Sequence, residues 1–138
     1  MILLDTNVVS EPLKLAGDVN VLAWLDGQIL ETLYLSTISL AELRFGIAVL
    51  PEGKRKDTLL SSFESRVLPL FTGRILTFDE SASRTYAALR ASARSAGRAI
   101  ALADGYIAAI ALSNKFAIAT RDTSPFEAAG LTVINPWI

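Results

Sequence analysis

Cysteine and histidine are both absent from this chain, and those two absences remove more chemistry than any motif adds. Without cysteine there is no disulfide framework, thiolate nucleophile, iron-sulfur cluster or thiolate zinc site. Without histidine there is no imidazole base, no Ser-His-Asp triad and no access to the commonest transition-metal ligand. Catalysis, if there is any, must run on carboxylates or a bound cofactor, and an all-oxygen donor set suits Mg²⁺ and Mn²⁺ where it does not suit zinc. A charge surplus is missing as well. Thirteen basic residues against fourteen acidic ones leave a net charge of -1, without the global basic excess of many nucleic-acid binders. Long apolar runs are also lacking. The start, Met1-Ile2-Leu3-Leu4-Asp5, has neither the basic region nor the apolar stretch of a signal peptide. The most hydrophobic stretch, Ala99 to Ala119, is interrupted by Asp104, Asn114 and Lys115, which argues for a buried helix followed by a strand and against a membrane span. A cytoplasmic protein with no membrane contact is expected.

What is present is a strongly apolar chain of 138 residues, 51% hydrophobic and 20% charged, with a mean hydropathy of +0.42. That composition excludes intrinsic disorder and predicts one domain over residues 1–138, part of whose outer surface meets a partner.

Short apolar runs alternate with helical patterns along the chain. Strands are predicted at Ile2–Leu4, Leu33–Leu35, Ile75–Leu76, Phe116–Ala119 and Leu131–Ile134. Helices are predicted over Val19–Ile29, Ser39–Leu50, Thr58–Leu68, Asp79–Ala96 and Ile100–Leu112. Pro51 to Asp57 reads as a surface connection. No hairpin signal separates the strands, so the fold class is α/β: a three-layer α/β/α domain with a central five-stranded parallel sheet. In such folds the site lies beyond the carboxyl ends of the strands.

Four acidic residues stand in unusual surroundings. Asp5 follows the first strand, Glu42 lies in Ile38-Ser39-Leu40-Ala41-Glu42-Leu43, Asp104 interrupts an apolar helix, and Asp122 comes just after the fourth strand. Each has an ordinary explanation as a helix cap or first-turn acid, and Ser39-x-x-Glu42 is a capping-box pattern. All four nevertheless fall at strand ends or helix starts on the ligand side of the sheet, from residue 5 to residue 122. Clustered carboxylates raise one another's pKa unless a cation sits among them. The pattern therefore points to a Mg²⁺ or Mn²⁺ site with few protein ligands and several waters, suited to phosphodiester hydrolysis. Thr6, Asn7, Ser39 and Thr120 lie beside the acids and are candidates to orient carboxylates or water, Asn7 and Thr120 foremost. Arg90, Arg94 and Arg98, together with Lys54, Arg55 and Lys56, could track a phosphate backbone or simply form a solvated face.

The ordered set Leu4-Asp5-Thr6-Asn7, Ser39-x-x-Glu42-Leu43, Ala103-Asp104-Gly105-Tyr106-Ile107-Ala108-Ala109, Ala119-Thr120-Arg121-Asp122 and Asn135-Pro136-Trp137 resembles the VapC-type PIN-domain toxin ribonucleases, the FitB-like subgroup in particular. The resemblance runs from residue 2 to residue 137. It implies a toxin of a type II toxin-antitoxin system, with Mg²⁺- or Mn²⁺-dependent endoribonuclease activity and Asp5, Glu42, Asp104 and Asp122 at the acidic positions. It also implies a homodimer, RNA as substrate, and a small antitoxin that reaches operator DNA and places an Arg in the acidic pocket. Many PIN toxins carry Thr-x-Asn followed three residues on by Asp-Phe. Here Asp122 holds the Asn place and Pro125 the Asp place, as in the FitB-like pattern. Two rival readings are a catalytically weak binding module in an antitoxin-bound operator complex, and a phosphoaspartate signalling domain, which would want a second acid beside Asp5.

Overall fold

The computed structural model describes all residues, 1–138. Five short strands, β1 (Ile2–Leu4), β2 (Leu33–Ser36), β3 (Ile75–Leu76), β4 (Ala117–Ala119) and β5 (Val133–Ile134), form one sheet in the order β3-β2-β1-β4-β5. Every neighbouring pair is parallel. The three-layer α/β/α arrangement with a five-stranded parallel sheet is therefore as the sequence predicts.

Alternation along the strands splits the core in two. Leu3 and Ile118 face a cluster built with Leu89, Ile107, Ile110 and Phe126. Leu4 and Ala119, one residue on, face the opposite cluster with Val8, Leu35, Leu43 and Phe63. Both sides of the sheet are thus covered, which is why its strands read as continuous apolar runs. The first cluster is supplied by α5 (Glu80–Ser95), α6 (Leu102–Ser113) and α7 (Thr123–Ala128). The second is supplied by α1 (Thr6–Ser10), α2 (Val19–Asp26), α3 (Thr37–Ala48) and the segment around α4 (Lys54–Ser62). No helix is long and apolar enough to cross a membrane.

Helix starts follow their caps, and two of them depart from the sequence reading. Asp18 and Asp79 cap α2 and α5 through their carboxylates. The Ser39–Glu42 capping box does not form. Ser36, extended at the end of β2, takes the cap position, and its Oγ accepts the Ser39 N–H at 3.0 Å. This starts α3 two residues early and leaves Ser39 buried inside it. The second departure is at Pro51 to Asp57, where the coil is confined to Pro51–Gly53. Gly53, with φ +149°, lets the chain turn directly into α4 at Lys54. The predicted helix over Thr58–Leu68 instead ends at Ser62 and widens into a π turn over Phe63–Val67, followed by a 3₁₀ turn over Leu68–Phe71.

Candidate functional site

The site begins with strand register. Leu4 pairs with Ala119 across β1 and β4, so the next residues, Asp5 and Thr120, stand side by side where both strands end. Thr120 Oγ1 donates to Asp5 Oδ2 at 2.7 Å, and the Thr6 N–H donates to Oδ1 at 2.8 Å. Asp5 is 5% exposed and Thr120 fully buried. Burial pushes the Asp5 carboxyl above its ordinary range. The two hydrogen bonds oppose that shift without cancelling it, and Glu42 and Asp122 add to it.

The other three acids come from three different helices: Glu42 from the second turn of α3, Asp104 from the first turn of α6 and Asp122 from the residue before α7. Glu42, exposed on α3, has Oε1 2.6 Å from Thr6 Oγ1, and that hydroxyl also lies 3.1 Å from Ser39 Oγ. With one proton to give, Thr6 donates to Glu42 and is left to accept from Ser39. Asp122, exposed ahead of α7, makes no side-chain cap. Its backbone N–H donates to Thr120 Oγ1 at 3.1 Å. A single hydroxyl therefore ties Asp5 to the loop that bears Asp122.

Asp104 feels both its burial and the other three acids. As a first-turn acid of α6, it would have a depressed pKa if the helix dipole ruled. It is instead pushed up to about 6, by burial first and then by Asp5, Asp122 and Glu42. The four carboxylates thus share one electrostatic environment. No Lys or Arg forms an ion pair with any of them. Nor do any three converge tightly enough to enclose an ion unaided. An all-oxygen, under-neutralised and open donor set fits a small hard cation that takes one or two carboxylates directly and keeps several waters. It does not fit a soft or closed-cage metal.

Of the predicted helpers, Thr6, Ser39 and Thr120 join the network. Asn7 does not touch an acid: its Oδ1 accepts the Arg121 N–H at a long 3.4 Å, steadying the loop before Asp122. Sequence reasoning missed Ser36, whose cap sets the start of α3 and so the placement of Ser39 and Glu42. A Ser at a strand end three residues before Ser39 was the available signal.

A pH dependence follows from the raised groups. Between about pH 4 and 6 the folded protein keeps the Asp104 proton that the unfolded chain has released. Stability of the metal-free protein should therefore fall as pH rises through that window. Glu11 and Glu64, held low by Lys14 and Arg44, act with the opposite sign at the acid end, because their stabilising contacts are lost on protonation. Thermal melts in chelator should be highest at the acid edge of that window, about pH 4, and fall toward pH 6. A melting temperature that climbs steadily from pH 5 to pH 7 would contradict the clustering.

Comparison with known proteins gives concordant matches. Residues 2–131 match the PIN domain family model. The chain is 58% identical over 137 residues to VapC ribonuclease Y4jK of Sinorhizobium fredii, covering 99% of this chain and 98% of that one. It is 54% identical over 137 residues to Toxin FitB of Neisseria gonorrhoeae, covering 99% of each. The solved structure of FitAB bound to an IR36 DNA fragment matches with a TM-score of 0.97 at 53% identity, over 100% of this chain and 96% of that one.

Proposed function

Since the chain belongs to the PIN-domain family, in the branch of the VapC and FitB proteins, we propose that it is the toxin of a type II toxin-antitoxin pair and hydrolyses RNA phosphodiester bonds. The observation that carries this reading is the gathering of Asp104 with three other acids that no basic side chain neutralises, its carboxyl raised by burial first and by those acids next. Asp5 and Asp104 would hold Mg²⁺ or Mn²⁺, with Glu42 and Asp122 completing the anionic ring. The cation supplies Lewis acidity at the phosphoryl oxygen and offsets the charge that develops there. Thr120 and Thr6 keep the Asp5 and Glu42 carboxylates in place. Glu42 Oε1 is engaged by Thr6, which leaves Oε2 to accept the proton of an attacking water.

The partner proposals rest on the surface beside the site. A groove of about 1020 Å³ starts at Thr6 and Glu42 and runs past Leu43, Ile47, Leu13 and Leu59. Its apolar floor, with Glu42 at one end and Lys14, Lys54 and Arg55 elsewhere on the lining, suits an antitoxin segment that lays apolar side chains along it and sets a basic residue at Glu42. Operator DNA would be reached only through that antitoxin, a reading supported by the FitAB complex with DNA. Exposed Phe45, Val49 and Leu102 support further burial in a homodimer. We place the protein in the cytoplasm.

The test is metal removal. Purified protein should yield discrete RNA fragments with Mg²⁺ or Mn²⁺, none above background in EDTA, and the same fragments once Mn²⁺ is added back. Cleavage that persists in EDTA would refute the metal assignment. Intact RNA in every condition, alongside tight antitoxin and operator binding, would establish the binding-module reading instead.

A further inference from the structure

A cleft of about 760 Å³ lies between the end of α5 and the start of α6, lined by Tyr86, Arg90, Arg94, Arg98 and Ile100. Arg90 and Arg94 stand one helical turn, about 6 Å, apart, and Arg98 follows the Gly97 turn (φ +70°). None of the three arginines is in an ion pair, whereas Arg84 on the same helix is held by Glu80. No acidic residue lines the cleft.

The Tyr86 end of this cleft is fixed, and it lies against the turn of α6 that carries Asp104. Arg90 Nη1 donates to Tyr86 Oη at 2.6 Å, with the guanidinium 5.5 Å from the Tyr86 ring centroid. Tyr86 is in turn stacked on Tyr106 at 4.8 Å. The helices meet closely here, because a Cβ at Gly105 would stand 3.1 Å from the Tyr86 ring and 3.5 Å from Arg90 Cδ. Gly105 directly follows Asp104. Arg90 therefore stands against the turn of α6 that bears Asp104, with Arg94 and Arg98 further along the cleft.

We propose that Arg90, Arg94 and Arg98 form the track that holds the phosphate backbone of the RNA strand next to the bond to be cut. The inference rests on the nuclease reading and extends it to substrate binding. Four carboxylates repel a polyanion, and a net charge of -1 offers no global attraction to offset that repulsion, so a local cationic surface beside the pocket is required. Guanidinium groups without carboxylate partners are suited to bidentate phosphate contacts. Arg90, pinned by Tyr86, sets the register beside Asp104. Arg94 and Arg98, exposed and unheld, add affinity without sequence preference.

The test is fluorescence anisotropy with a short fluorescein-labelled single-stranded RNA of mixed sequence, in EDTA across a salt series, using the full chain. The Arg94→Ala/Arg98→Ala double variant should bind on the order of 10-fold more weakly, and its log-affinity against log-salt slope should fall by about 1.4, two single-strand phosphate contacts' worth. A charge-matched Arg66→Ala/Arg84→Ala control should bind as wild type does. Unchanged slope in the first variant, or equal losses in both, would overturn the track. So would a changed oligomeric size of the first variant with RNA binding intact, which would assign the cleft to chain-chain contact. The two readings fail separately. Wild type that binds RNA through these arginines but never cuts it with metal would sink the nuclease and leave the track standing.

Discussion

Asp104→Asn is expected to reduce metal-dependent RNA cleavage about 1000-fold, on the order of 4 kcal/mol in the barrier, while raising the melting temperature of the metal-free protein. Both effects come from one charge. Asp104 bears the repulsion of Asp5, Asp122 and Glu42 in addition to its own burial, so a neutral amide of the same shape relieves the folded state. The group is partly open to water, which screens that repulsion, and the relief is on the order of 1 kcal/mol, or about 3–5 °C. Adding Mg²⁺ or Mn²⁺ should raise the wild-type melting temperature, and most of that rise should vanish in the variant. A simple first-turn role for Asp104 predicts the opposite sign. Asn would then forfeit about 0.3–1 kcal/mol of dipole interaction, and the metal-induced shift would be unchanged. Paired melts with and without metal, alongside fragment yields, check the two outcomes.

Thr120→Val should have the second-largest effect, although no charge changes. The substitution nearly preserves shape but strips the hydroxyl that donates to Asp5 Oδ2 and accepts from the Asp122 N–H. At a fully buried position, leaving these groups unpaired costs about 1–3 kcal/mol of stability. Cleavage should fall roughly 10- to 100-fold because Asp5 loses its orientation. A merely structural role would stop there. A positioning role also moves the acid limb of the pH-rate profile upward, since Asp5 loses a hydrogen bond that holds its carboxyl down. Thr120→Ser should restore both the limb and the rate, and a limb identical in wild type and Thr120→Val would argue against the assignment.

The sheet and the location of the acids were legible because both are written in local pattern. Ile2–Leu4, Leu33–Leu35 and Ile118–Ala119 are buried on both faces and therefore read as unbroken apolar runs. Asp5, Glu42, Asp104 and Asp122 declare themselves by interrupting or ending such runs. What the pattern does not encode is choice between competing local partners. Ser36 and Ser39 can each cap a helix, and Ser36 prevails because β2 delivers it extended at the strand end. Gly53 and the contacts of Lys56 with Glu52 and the Ala48 carbonyl carry α4 back to Lys54. Asn7 and Thr6 are adjacent and equally polar, yet it is Thr6 that reaches Glu42. Which of two neighbours points inward depends on the turn of α1, whose start is fixed by Asp5 at the end of β1.

The register of β1 against β4 has a consequence for synthesis. Asp5 acquires its neighbour Thr120 only when β4 has slotted beside β1, and β4 is made more than a hundred residues after β1. A nascent polypeptide still on the ribosome therefore presents its first aspartate alone, with no assembled pocket behind it. On the nuclease reading, a product that stops before β4 lacks both Thr120 and Asp122 and should not cut RNA.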